Sequence, residues 1–271
     1  MKSVHFYFKI IAMFFICIPA FSQTPVKTFR LDQDLEIRQF DNNVYVVTHS
    51  FPWTANSMFV GIDNRNIVFV DTPYTPEASE QVLAWIDTHI GKRNIICINT
   101  GFHFDNLGGN KAFISKGIPV YGARETIQLI NERGEAARQL FLGWLGGTKF
   151  KRFYDTYRTL LYTPPNTLFS LQKGLELKIG NETIQVIFPG ETHSPDNTVV
   201  YFANRRLLFG GCMILSGDKP GNTEDANIAQ WPVSIKKLKN LNVSMVVPGH
   251  GLRFDSGLIE HTILVLEKNT H

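Results

Sequence analysis

The 271-residue chain has little cysteine, 3 residues in all. That excludes a disulfide framework, because at most one bridge can form. Net charge is also scarce, +3 with histidine neutral. Nothing in that balance implies a polyanionic partner, and no basic patch for nucleic acid stands out. Long apolar runs are few, and the clearest, Ile10 to Ile18, is short for a membrane span. Internal repeats, low-complexity tracts and Pro/Gly/Ser linkers are missing too, which leaves one domain as the simplest organisation.

The N-terminus differs from the rest. Lys2 and Lys9 flank or precede the apolar run, and Ala20 and Ser22 follow it as small residues. This is the layout of a cleaved secretory signal over residues 1–22, with the cut after Ser22. An uncleaved membrane anchor is the rival reading, and the short run disfavours it. Bulky Ile16 before Cys17 disfavours a lipoprotein signal. The mature chain, 23–271, would carry 25 basic and 24 acidic residues, a net +1. It would be exported and periplasmic, free of the membrane after cleavage. Of its two cysteines, Cys97 lies in the strand-like run Ile95-Ile96-Cys97-Ile98 and reads as core.

The remaining pattern is strands, then strand–helix alternation, then strands, then alternation again. Val44–Val47 and Ile67–Val70 are β-rich. Residues 77–90 have helical spacing, with Val82, Leu83, Trp85 and Ile86 as the apolar face. Residues 123–161 are mainly helical in pattern, and strands return from 167 to 210. Two sheets packed face to face with helices outside fit this order.

Four sites after apolar runs carry residues able to bind a metal: His103 with Asp105, His193 in Gly190-Glu191-Thr192-His193-Ser194-Pro195-Asp196-Asn197, Cys212 in Gly210-Gly211-Cys212, and His250 in Pro248-Gly249-His250-Gly251. Each lies among Gly, Pro or Ser, where a loop can aim a side chain into a cleft. Imidazole, thiolate and carboxylate together suit zinc. Singly, each reads as a surface histidine or a core cysteine. Four at successive strand ends argue against coincidence. Extended backbone would place His103 and Asp105 on one side, and Gly101 would then stand where a third side chain is missing. The other histidines, His5, His49, His89, His261 and His271, lack this setting and read as structural or surface residues.

In order, Thr-x-x-His-x-Asp-x-x-Gly-Gly, Gly-x-x-His-Ser-Pro-Asp-Asn, Gly-Gly-Cys, Gly-Asn-x-x-Asp-Ala-Asn and Pro-Gly-His-Gly resemble the metallo-β-lactamase superfamily. The cysteine points to the class B subclass with one Cys ligand. Asp71-Thr72-Pro73 matches the family's early strand end, and the resemblance spans nearly all of residues 35–265. It implies an α/β fold, a four-layer αβ/βα sandwich with metals at one edge. It also implies zinc-dependent hydrolysis of the β-lactam amide, carbapenems included, by a metal-bound hydroxide. One zinc would be held tightly by Asp105, Cys212 and His250, and a second, weaker one by His103 and His193. Asp105 would orient the water and relay its proton, and Asn222 would donate to the developing oxyanion. Trp53, in Phe51-Pro52-Trp53, falls at the family's mobile loop over the site. Asp71 would orient groups near the metals, or else cap the helix entered at Thr75-Pro76.

The chain departs from the family at two positions. Gly101 stands where the first motif histidine is expected. The backbone could need a glycine there, and, alongside that, the missing imidazole would leave room for water. Leu215 replaces the lysine that binds the substrate carboxylate, and Lys219 is the candidate substitute. Asn106 after the motif aspartate argues against glyoxalase- and lactonase-like branches, which have histidine there. The 90 positions between His103 and His193 exceed expectation and suggest a helical insertion near 131–166. Leu140, Phe141, Trp144 and Leu145 form an apolar stripe in it, as core or as a wall of the substrate groove. The implied partner is a small β-lactam, and the protein would be a monomer. The alternatives are an exported hydrolase of this fold acting on another ester, lactone or amide, and a zinc-binding member without catalysis.

Overall fold

Side-chain alternation in the first strands dictates a sheet buried on both faces. The first run is antiparallel: β1 (Lys27–Arg30), β2 (Leu35–Gln39), β3 (Val44–Ser50), β4 (Thr54–Gly61) and β5 (Asn66–Val70). Val44, Val46, Met58, Val60, Val68 and Val70 point one way. Tyr45, Val47, Phe59, Ile67 and Phe69 point the other. Both sets are buried, so both faces must be covered. The structure, a computed structural model, describes residues 24–41 and 43–269. The signal reading for residues 1–22 lies outside them.

Helical crossovers then extend the sheet in parallel. They are α1 (Pro76–His89), β6 (Asn94–Ile98), α2 (Phe104–Leu107), α3 (Asn110–Ser115), β7 (Val120–Ala123), α4 (Arg124–Leu145), α5 (Lys151–Thr159) and β8 (Thr167–Phe169). Thr75, not Asp71, caps α1, its hydroxyl accepting from the Ala78 amide at 3.3 Å. The second sheet follows: β9 (Leu175–Ile179), β10 (Glu182–Ile187), β11 (Val199–Phe202) and β12 (Leu207–Gly211), then α6 (Trp231–Lys237), β13 (Met245–Pro248) and α7 (Leu258–Asn269). Its strand order is β13-β12-β11-β10-β9.

Three apolar layers result. The central one joins the sheets through Met58, Val60, Val200, Phe202, Phe209 and Val247. One outer layer packs Val82, Leu83 and Ile86 of α1 on the first sheet. The other packs Trp231, Ile235, Leu258 and Ile263 on the second. This helix–sheet–sheet–helix stack is the expected sandwich. A fourth cluster, with Phe51, Tyr74, Phe104, Leu142, Leu145 and Tyr157, docks α4 and α5 against the β3–β4 hairpin tip. No helix among the described residues is long and apolar enough to cross a membrane.

Candidate metal centre

The segments after β5, β6, β12 and β13 meet at one edge of the sandwich. Backbone bonds lace them: Thr198 N–H to Thr100 O at 2.9 Å, Gly249 N–H to Gly211 O at 2.7 Å, and Asn56 N–H to Gly249 O at 2.7 Å. Glycine is required at 249, because a Cβ there would lie 2.6 Å from the Gly211 carbonyl carbon. That close approach brings His250 beside Cys212.

Asp105, Cys212 and His250 offer ligand atoms that all lie within 4.8 Å of one another. Cys212 Sγ donates to Asp105 Oδ2 at 3.0 Å, and His250 Nε2 lies 3.0 Å from the same oxygen. His250 Nδ1 is 2.8 Å from the Thr54 carbonyl. Its proton belongs there, which turns Nε2 toward the centre. Burial would raise the Asp105 carboxyl, but the hydrogen bond and charge of His250 win and hold it below the usual range. Burial and the Asp105 charge push the Cys212 thiol well up. Oxygen, sulfur and nitrogen at this spacing fit zinc, whose charge stabilises the thiolate.

Asp105 reaches this position differently from the strand geometry expected. The chain leaves β6, His103 is extended at φ −72°, ψ 160°, and Asp105 lies in the first turn of α2. A helical turn, not an i, i+2 strand pair, presents the carboxylate. His103 and His193 lie with ring centroids 5.2 Å apart and planes at 86°. His103 Nε2 donates to Asp225 Oδ2 at 2.9 Å, leaving Nδ1 for a ligand. Burial and the nearby His103 lower the pKa of His193 to about 3, and its buried Nδ1 has no hydrogen-bond partner among the described residues. The pair offers two imidazoles and is outside the three-donor group.

Gly101 is corrected on two counts. Its φ lies outside the left-handed region, so positive φ is not the reason for glycine. Nor does it leave a space for water. A Cβ would meet Asn197 Nδ2 at 2.5 Å and Asn106 Oδ1 at 2.9 Å. Two amide side chains fill the place.

Asp71 accepts from the Thr100 amide (2.7 Å), the Thr100 hydroxyl (2.6 Å) and Asn106 Nδ2 (2.9 Å). Asn106 Nδ2 also lies 3.5 Å from Cys212 Sγ. Asn106 thus links Asp71 to the cysteine. Burial raises its carboxyl to about 8 against those hydrogen bonds, and its φ of 53° is a strained value for aspartate.

The centre opens into a cleft of about 690 Å³ that Trp53, Lys219 and Asn222 also line. Asn222 Oδ1 accepts from the Glu224 amide at 3.2 Å. It is therefore a turn residue, held through Oδ1 rather than Nδ2. Leu215 is buried, whereas Lys219 is exposed. Trp53 packs on Phe141 and Trp144 of α4, at 5.0 and 5.9 Å between centroids. Sequence reasoning assigned no role to Asp225 or Arg133. Asp225 lies in the Gly-Asn-x-x-Asp-Ala-Asn motif, so its signal was present. Arg133, whose Nη1 is 3.1 Å from Asp225 Oδ1, gave none.

Comparison with known proteins agrees with the fold and the motifs. A family model described as the metallo-beta-lactamase superfamily matches residues 51–250. The metallo-beta-lactamase type 2 of Bacillus cereus is 28% identical over 241 residues, 86% of this chain and 83% of that protein. Metallo-beta-lactamase IND-1 of Chryseobacterium indologenes is 26% identical over 271 residues, covering 98% and 99%. Among solved structures, the metallo-beta-lactamase from Pontibacter korlensis superposes with a TM-score of 0.71 at 28% identity, covering 86% of this chain and 99% of its own. VMB-1 does so with 0.70 at 26%, covering 89% and 100%. With the family pattern matched over most of its length, this chain belongs to the metallo-beta-lactamase superfamily.

Proposed function

We propose that this chain is a β-lactamase that hydrolyses the lactam amide with zinc held by Asp105, Cys212 and His250. The observation that carries the reading is the convergence of those three donors within 4.8 Å. Zinc, when bound, supplies Lewis acidity that lowers the pKa of a water from ~15.7 to about 7 and polarises a carbonyl. The protein's own groups do the rest. The Thr54 carbonyl fixes the His250 tautomer, and Asp105 orients the attacking water and relays its proton to the lactam nitrogen as the C–N bond breaks. Asn222 Nδ2 donates to the carbonyl oxygen as charge develops. Lys219 attracts the substrate carboxylate, and Trp53 covers the apolar side. His103 and His193 hold a second zinc more weakly, because two imidazoles bind less firmly than three ligands.

The substrate is a small β-lactam, carbapenems included, and the chain works as an exported, periplasmic monomer. The relatives' names as metallo-beta-lactamases support the substrate class. A second reading, hydrolysis of another ester, lactone or amide, is favoured by Leu215, buried where the family's carboxylate-binding lysine is expected.

The test is hydrolysis of meropenem and nitrocefin by the purified mature chain, titrated with zinc from chelated to excess. Turnover that rises with zinc and is abolished by chelation is expected. Activity maximal at one equivalent assigns the chemistry to the cysteine site; a further rise at the second includes His103 and His193. No turnover at any zinc level overturns the lactamase reading. Lys219→Ala raises KM; an unchanged KM removes Lys219 from the substrate site.

A further inference from the structure

Helix α4 carries two apolar stripes. Leu142 and Leu145 are buried in the cluster beneath it. Ala137, Leu140, Phe141 and Trp144 line the cleft above the metal-ligating residues, at the i, i+3, i+4, i+7 spacing of one helix face, and Phe141 also packs against the buried cluster. Trp144 remains 41% exposed and Trp53 40% exposed. Two half-exposed indoles 5.9 Å apart form an apolar patch of the kind that marks a binding surface.

This wall is built rather than loose. Tyr157 of α5 donates its hydroxyl to the Phe51 carbonyl at 2.8 Å. The guanidinium of Arg152 lies 5.7 Å from the Phe51 ring and bonds Asp34 at 2.6 Å. The hairpin tip carrying Trp53 is thereby fastened to the α4–α5 segment before any substrate arrives. Rigid aromatic anchors lower the ordering cost of binding. The volume, about 690 Å³, falls within the roughly 300–1,000 Å³ of sites for drug-sized ligands.

We infer that Leu140, Phe141 and Trp144, together with Trp53, form an apolar subsite for a bulky aryl substituent of the substrate. The enzyme then prefers substrates bearing such a group over those with a small one. This rests on the hydrolytic reading above, and the test separates the two.

Two 6-acylaminopenicillanic acids, acetyl and naphthoyl, share the lactam and differ only in the acyl group. The wild type is expected to favour the naphthoyl substrate in kcat/KM. The double variant Leu140→Ala/Trp144→Ala should reduce that preference by about tenfold, through KM. Ala137→Trp, which fills the subsite instead of emptying it, should reduce it as well. Both variants should also weaken the binding of 1-anilinonaphthalene-8-sulfonate, a probe that needs no turnover. A preference unchanged in both variants, with unchanged probe binding, overturns the subsite while leaving the hydrolase intact. No turnover of either substrate, with probe binding still dependent on Leu140 and Trp144, overturns the hydrolytic reading and keeps the subsite. A wild type with no preference and no probe binding overturns it outright.

Discussion

Asp225 accepts a hydrogen bond from His103 Nε2 at 2.9 Å across 122 positions of sequence, and Arg133 of α4 grips its other oxygen at 3.1 Å. Burial opposes protonation of His103, but that hydrogen bond raises its pKa overall. The pairing fixes which ring nitrogen faces the cleft. Partners of this kind contribute about 10–100-fold to metal affinity. Asp225→Ala should therefore weaken the second zinc equivalent by that order and leave the first unchanged, as read by titration against a competing chelator. Equal weakening of both would show that Asp225 acts on the whole centre.

Gly101 is pressed by Asn197 and Asn106, so enlarging it must move an amide. Gly101→Ala should destabilise the fold by about 1–3 kcal/mol, as overpacking does. Asn197→Ala in the same chain should recover part of that loss. Gly101→His should fail to add a tightly bound zinc, because its side chain starts inside an occupied space. Thermal unfolding and zinc content per chain are the measurements.

Asn56 of β4 is buried, and its Nδ2 donates to the carbonyls of Pro248 (3.0 Å) and Gly251 (2.8 Å) on either side of His250. Its Oδ1 accepts from the Thr48 hydroxyl at 3.0 Å. Asn56→Ala strands these groups, which should cost about 1–3 kcal/mol. It should also loosen the His250 loop. An unchanged urea-unfolding free energy with unchanged zinc retention would contradict this.

His49 is buried beside Phe51 and Tyr74, and the Tyr74 amide donates to its Nδ1 at 3.2 Å. That bond requires an unprotonated nitrogen. Burial lowers its pKa from 6.5 to about 4, against the pull of Asp32 and Asp34 and with help from Arg152. The unfolded chain binds a proton that the folded chain refuses. The contribution is thus complete above about pH 6.5 and is lost as pH falls toward 4, by up to about 3 kcal/mol. His49→Phe should flatten the fall in urea-unfolding free energy across that window.

The sandwich was legible because its signals are local. Alternating apolar residues in β3, β4 and β5 set which faces are buried, and a buried face on both sides demands two covering layers. The donors at strand ends were legible for the same reason, as side chains able to bind zinc in loops that follow apolar runs. The presentation of Asp105 was misread, because Phe104, which opens the turn, stacks on Tyr162 and joins the cluster of Tyr74, long-range packing that no local pattern encodes.

By itself, the sequence determined the order of strands and helices and the candidate donors at strand ends, read from periodicity and residue chemistry over short spans, while only its resemblance to the family grouped Asp105, Cys212 and His250. Only the tertiary structure decided that Asn197 fills the place beside Gly101, that Asp225 holds His103, and that Trp53 rests on α4. Each of those joins segments far apart in the chain. Their distances depend on how the two sheets and the α4–α5 segment close on one another, a property of three-dimensional packing rather than of any stretch of residues.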